Sequence, residues 1–267
     1  PEDAVTLSIS SSDSGEATTT SLLQFTSANW DTPQTVTVTG VDDDLIDGTI
    51  ASTLTLAVVD IITDDDFDAV DDQTVSVTTT DDDVAGFTIA ETGGSTSVDE
   101  SGTTDTFTVV LDAEPATDVV LTITSADTGE ATVTSELTFT SANWDTPQTV
   151  TVTGADDDII DGTITSTVTV SVNDGNSDNN FDAVDDETVS VTTTDDDVAG
   201  FTIAETGGST SVAESGTTDT FTVVLDAQPE DAVTLSISSS DSGEATTTSL
   251  LQFTSANWDT PQTVTVT

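Results

Sequence analysis

The segment FTSANWDTPQTVTVT occurs three times in the chain, placing Trp30, Trp144 and Trp258 at a constant spacing of 114 residues. A second segment, DDDVAGFTIAETGGSTSV, occurs twice, with Phe87 and Phe201 again 114 apart. Residues 1–86 align without a gap to 115–200 with 62 identities, and residues 1–39 are identical to 229–267. A period this long is a domain rather than a solenoid turn, so the expected organisation is an array of whole domains. On this period, residues 1–83 are a unit lacking its first strands, 84–197 a complete unit, and 198–267 a unit lacking its last strands. The chain starts at Pro1 rather than Met and begins in mid-unit, so the expectation is a window on a longer array.

Within the complete unit the hydrophobic period is two. Phe107, Val109 and Leu111 alternate with more polar neighbours, as do Val119, Leu121 and Ile123. Val150 and Val152 sit between threonines, and Val168, Val170 and Val172 form another face. Such alternation marks half-buried strands. It predicts strands over 86–91, 95–98, 105–112, 117–125, 137–140, 148–153, 163–173 and 187–194, separated by Gly, Asp, Asn and Pro, with no helix. Eight strands in a unit of this size predict an all-β, Ig-like sandwich repeated head to tail.

Composition then removes whole classes of function. The chain has no Lys, Arg, His or Cys, and 52 acidic residues give it a formal net charge of −52. Without cationic side chains it cannot neutralise phosphates, which argues against nucleic acid and against a basic membrane-surface segment. The missing His and Cys exclude Ser–His–Asp hydrolysis, thiol nucleophiles and ordinary zinc sites. Carboxylate-only chemistry such as glycoside hydrolysis survives. Yet few aromatic residues are available to line a cleft, and repetition multiplies length more usefully than an active site, so the chain is read as non-enzymatic. High charge with few aromatics also marks disorder, but the patterned Val, Ile, Leu, Thr and Phe argue for a folded protein. No apolar run approaches membrane-spanning length.

The acids are clustered. One run, GADDDIIDG, holds Asp156, Asp157, Asp158 and Asp161 between two strands; a second, TTTDDDVAG, holds Asp195, Asp196 and Asp197 at the end of the last strand. The first unit repeats them as Asp42, Asp43, Asp44 and Asp47, then Asp81, Asp82 and Asp83. Glu100 lies near the start of the complete unit, Glu214 repeats it, and Asp127 and Glu130 follow another strand. A third acidic stretch changes between units, from Asp64, Asp65 and Asp66 to Asp178, Asn179 and Asn180, and reads as a tolerant surface loop. Two like charges about 4 Å apart repel by about 1 kcal/mol in water and by more near a protein surface. With no basic side chain available, a cation is the natural counter-charge, and all-oxygen donors select hard ions, Ca²⁺ first and Mg²⁺ second. Solvated acidic turns are the bland alternative.

Three features, SVDESG, LTFTSANWDTPQTVTVTGADDDIIDG and VSVTTTDDD, recur in this order across nearly the whole 114-residue unit. In that order they resemble Calx-β domains and the Ca²⁺-dependent Ig-like extender repeats of giant bacterial surface adhesins. The resemblance implies a β-sandwich with Ca²⁺ at its end, near the junction with a neighbour. It implies metal ligands at Glu100, at Asp156, Asp157, Asp158 and Asp161, at Asp195, Asp196 and Asp197, and at Asp127 in a further loop. In the first unit it implies Asp42, Asp43, Asp44, Asp47, Asp81, Asp82 and Asp83, and in the last Glu214. The RTX nonapeptide of many such adhesins is absent.

Trp144 and its copies are expected to cap the core or brace a turn, with sugar stacking as the other reading. The Thr-x-Thr ladders are short, and Thr suits the wet face of a sheet, so ice binding is not favoured. The function expected is a structural spacer of a secreted bacterial surface adhesin or extracellular fibre, stiffened by Ca²⁺. Its partners are neighbouring repeats and like chains in a fibre. The alternatives are an adhesin module that grips a glycan or protein, and a self-assembling filament subunit.

Overall fold

The computed structural model describes the backbone of all 267 residues and every side chain except that of Ile61. Six strands lie in the first unit: β1 (Val5–Ser11), β2 (Ala17–Thr19), β3 (Leu22–Phe25), β4 (Val38–Gly40), β5 (Ile50–Val58) and β6 (Gln73–Thr79). Nine follow: β7 (Phe87–Glu91), β8 (Thr96–Asp99), β9 (Thr104–Leu111), β10 (Val119–Ser125), β11 (Ala131–Val133), β12 (Glu136–Phe139), β13 (Gln148–Gly154), β14 (Ile164–Val172) and β15 (Glu187–Thr194). The last five are β16 (Phe201–Glu205), β17 (Asp219–Leu225), β18 (Val233–Ser236), β19 (Leu250–Phe253) and β20 (Gln262–Val266).

The nine middle strands form two sheets, a five-stranded one in the order β12-β10-β14-β15-β8 and a four-stranded one in the order β11-β13-β9-β7. Their inward residues make one core, which is a β-sandwich. Phe107, Val109, Val150 and Val152 come from one sheet; Leu121, Phe139, Val168, Val170 and Val191 come from the other. The period-two alternation is what allows this, because each second residue points to the same face. Each such apolar side chain contributes about 1.5–3 kcal/mol on burial. Trp144 packs against the edge of this core, and its carbonyl accepts from the Leu111 N–H at 3.1 Å.

Among the described residues, all pairings between these strands are antiparallel except one. β8 pairs parallel with β15, in a register that sets Thr194 opposite Asp99. The parallel pairing brings the turn after β8 beside the chain that leaves β15, so Glu100 arrives next to Asp195. That juxtaposition joins residues far apart in sequence.

In the first unit β3-β1-β5-β6 form one sheet and β2-β4 a second; in the last, β16-β17-β20 and β18-β19 do so. Phe201 and Ile203 are about half exposed, whereas Phe87, at the position of Phe201, is buried against the five-stranded sheet.

Two expectations need correction. Residues 131–133, with no strand predicted, form β11, which pairs with β13. The 178–180 stretch is not a tolerant surface loop. Asp178 is buried and caps the short 3-10 turn Asn179–Phe181, accepting from the Asn180 N–H at 3.0 Å and the Thr117 N–H at 2.8 Å. Asp64 does the same in the first unit, accepting from the N–H groups of Glu2 and Asp66. The Asp survives in both units because a carboxylate satisfies several backbone donors at once; only its two solvent-facing neighbours change to Asn.

Candidate metal centre

Four chain segments meet at one end of the middle sandwich: the turn after β8, the turn between β10 and β11, the loop after β13, and the residues after β15. Each is held in place by its backbone. The Glu100 N–H donates to the Thr194 carbonyl at 3.0 Å, and Thr194 Oγ1 donates to Asp99 Oδ2 at 2.9 Å. The Ala155 N–H donates to the Glu130 carbonyl at 2.8 Å, joining the β13 loop to the turn before β11. Gly154 ends β13 against the carbonyl oxygen of Asp99, where any Cβ would overlap that oxygen. Gly162 takes φ +80°, the left-handed region that favours glycine, and its N–H donates to Asp195 Oδ2 at 2.8 Å.

These constraints bring five carboxylates into two groups that share Glu100. Glu100, Glu130 and Asp161 form one group, and Glu100, Asp157 and Asp197 a second, with donor oxygens within 4.8 Å of one another in each. Two oxygens on opposite sides of a Ca²⁺ ion, each about 2.4 Å from it, are separated by about 4.8 Å, so the spacing suits a cation between them. Glu100 belongs to both groups and is 1% exposed. Its Oε2 has no hydrogen-bond partner, and neither do Oε2 of buried Glu130 and Oδ2 of Asp197. Buried carboxylate oxygens without donors are costly, and the chain has no cationic side chain to meet them.

The electrostatics follow from this packing. Burial, then Asp161, Glu130, Asp157 and Asp195, pushes the Glu100 carboxyl up to about 7. Burial and the neighbouring acids also raise Glu130 and Asp197. The first unit shows the same pattern at Glu16, which burial and then Asp47 raise, and at Asp83, which burial and then Asp81 raise.

The structure sorts the sequence candidates unevenly. Glu100, Asp157, Asp161 and Asp197 converge. Asp195 is an organiser: its two oxygens accept from the N–H groups of Gly162 and Asp197, which fixes the loop and the exit chain together. Asp127 is exposed and turns its Oδ1 to the Gly129 N–H at 3.1 Å, so it builds the turn that presents Glu130. Asp156, Asp158 and Asp196 are exposed and, among the described residues, belong to neither group. In the first unit Asp81 holds the Gly48 and Asp83 N–H groups as Asp195 does, while Asp42, Asp43, Asp44, Asp47 and Asp82 are exposed. Glu214 is exposed as well. Glu130, which was not singled out from the sequence as a ligand, is the residue that reasoning missed.

No protein-family model matches the chain, and no curated protein matches it. Among solved structures, S-layer protein SbsC domains 4 and 5 align at a TM-score of 0.32 with 18% identity over 70% of each chain. SbsC domains 4–9 align at 0.34 with 17% identity over 98% of this chain, which spans 34% of that one. CBD12 from CALX1.2 aligns at 0.31 with 16% identity, over 67% of this chain and 73% of that one. Likenesses at these scores carry no weight for the site or its use.

Proposed function

We propose that the chain is a structural spacer, a run of tandem β-sandwich repeats from a long secreted bacterial surface adhesin or extracellular fibre, held rigid by Ca²⁺. The observation that carries this reading is Glu100: a fully buried carboxylate with an unpartnered oxygen, at the centre of four other acids, in a chain without a cationic side chain. The residues present fit a Ca²⁺ ion, which takes six to eight oxygens in irregular geometry. Glu100, Glu130, Asp157, Asp161 and Asp197 would hold it, with Asp195 and Asp127 shaping the loops around them. The ion would supply positive charge and would cross-link four segments that otherwise repel.

The role is mechanical and non-enzymatic. The partners are neighbouring repeats and like chains in a fibre, with neither nucleic acid nor membrane insertion among them. Among the described residues, no helix is long and apolar enough to cross a membrane. Extracellular modules of this kind bind Ca²⁺ with Kd of about 10⁻⁴–10⁻³ M. At free Ca²⁺ ten times Kd, one ion stabilises its unit by about 1.4 kcal/mol. A thermal melt of the chain in Ca²⁺, Mg²⁺ and EDTA tests the reading: Ca²⁺ is expected to raise the transition most, and a transition indifferent to all three refutes it.

A further inference from the structure

The loop after β13 faces two ways. Asp157 and Asp161 turn to the carboxylate cluster, and between them the chain carries two isoleucines in a stretch that is otherwise acidic. The Asp158 carbonyl accepts from the Gln228 N–H of the following unit at 2.7 Å, and Ile159 makes a parallel bridge with Gln228. Ile160 lines an apolar cavity of about 350 Å³ with Ala199, Phe201, Leu225, Ala227 and Pro229, all from the following unit. The arrangement recurs one period earlier. There the Asp44 carbonyl accepts from the Glu114 N–H at 2.7 Å and Leu45 bridges Glu114. Ile46 packs against the middle core, and its carbonyl accepts from Asn180 Nδ2 at 2.9 Å.

Ile46 is partly buried against the next unit's core, while Ile160 stays 43% exposed, and the apolar neighbours it has are those of the next unit. We propose that this loop is a two-sided clamp, in which Ile160 rests on the apolar end of the following unit and cation binding at the two carboxylate groups that hold Asp157 and Asp161 locks it there. The inference rests on the Ca²⁺ reading above and adds the device that transmits it. When cation binding fixes both aspartates, the three residues between them are held at each end, and Ile159 and Ile160 are presented in one position. Without the cation, Glu100, Glu130 and Asp197 repel both aspartates, and Ile160 loses its fixed base. The acid-rich junction therefore gains an apolar contact whose strength depends on the ion.

The test uses the full chain, which has no Cys, so two introduced thiols are labelled uniquely. Spin labels at Ser190→Cys, exposed on β15, and Thr234→Cys, exposed on β18, report the distance between the middle and last units. The clamp predicts a narrow distance distribution in Ca²⁺ and a broad one in EDTA. Ile160→Ser is expected to lose the narrow distribution in Ca²⁺ while keeping the Ca²⁺-induced rise in melting temperature, which also shows that the variant folds. An Ile160→Ser distribution as narrow as the parent's overturns the clamp. A parent distribution unchanged by Ca²⁺, alongside a normal Ca²⁺-induced melting shift, overturns the coupling and leaves the metal reading standing. A parent whose melt ignores Ca²⁺ overturns both.

Discussion

Acidifying the metal-free protein should stabilise it, which is the reverse of ordinary acid denaturation. Glu100 carries the argument. Its carboxyl is raised from 4.5 to about 7, first by burial and then by Asp161, Glu130 and Asp157. Because the folded state holds this proton more tightly than the unfolded chain does, Glu100's contribution is fully present below pH 4.5 and is lost as pH rises towards 7. At about 1.4 kcal/mol per pH unit, that gap is worth about 3 kcal/mol at most. Screening through the water-facing side of Asp161 brings it to about 2 kcal/mol. Glu130 and Asp197 are raised too and act in the same direction. For a domain of about 110 residues, about 2 kcal/mol moves the midpoint by about 8 °C. The assay is a Trp-fluorescence and circular-dichroism melt of the chain in EDTA, from pH 4.5 to 8. General repulsion among exposed acids would mimic part of this trend, but about 1 M salt shortens the Debye length to about 3 Å and removes it. The buried share should survive the salt and should shrink in Glu100→Gln, leaving the smaller part that Glu130 and Asp197 contribute. A midpoint that stays flat or rises with pH in EDTA at high salt would refute the reasoning.

Other outcomes follow from the same geometry. Glu130→Gln should weaken Ca²⁺ binding by about 10-fold or more, as loss of a converging ligand does, whereas Asp127→Asn should change it little; calorimetric titration of both variants distinguishes ligand from turn former. Asp178→Ala strands the backbone donors of Thr117 and Asn180 and should cost about 1–3 kcal/mol in a denaturant melt, although it lies outside the carboxylate cluster. Gly154→Ala should force β13 away from the Asp99 carbonyl, costing about 1–3 kcal/mol and blunting the Ca²⁺-induced melting shift.

The strands were legible because alternation is a local signal. Phe107, Val109 and Leu111 announce β9 within a few residues, and the observed boundaries of the eight predicted strands fall within two residues of those read from the pattern. β11 escaped because three residues, Ala131–Val133, are too short to show a period. The site was legible only in part because convergence is not local. The parallel pairing of β8 with β15 sets Glu100 beside Asp195, and nothing near either residue encodes that pairing. Within the acidic runs, the sequence does not say which carboxylate points inward. Asp157 converges while Asp156 and Asp158 on either side are exposed. One distinction was available. Asp127 is followed two residues later by Gly129, an Asx-turn signature, so its side chain had a backbone use and Glu130 was the acid left free. The misreading of 178–180 has a similar root: variation at Asn179 and Asn180 hid the fixed role of Asp178 beside them.

The central claim is that a cation sits where Glu100 unites its two groups of carboxylates. Crystals of the chain grown in Ca²⁺ and measured for anomalous scattering test it most directly. The account predicts anomalous density about 2.3–2.6 Å from oxygens of Glu100 and at least two of Glu130, Asp157, Asp161 and Asp197. Full-occupancy density only at exposed acids such as Asp156 or Asp196, with Glu100 unliganded, would contradict it.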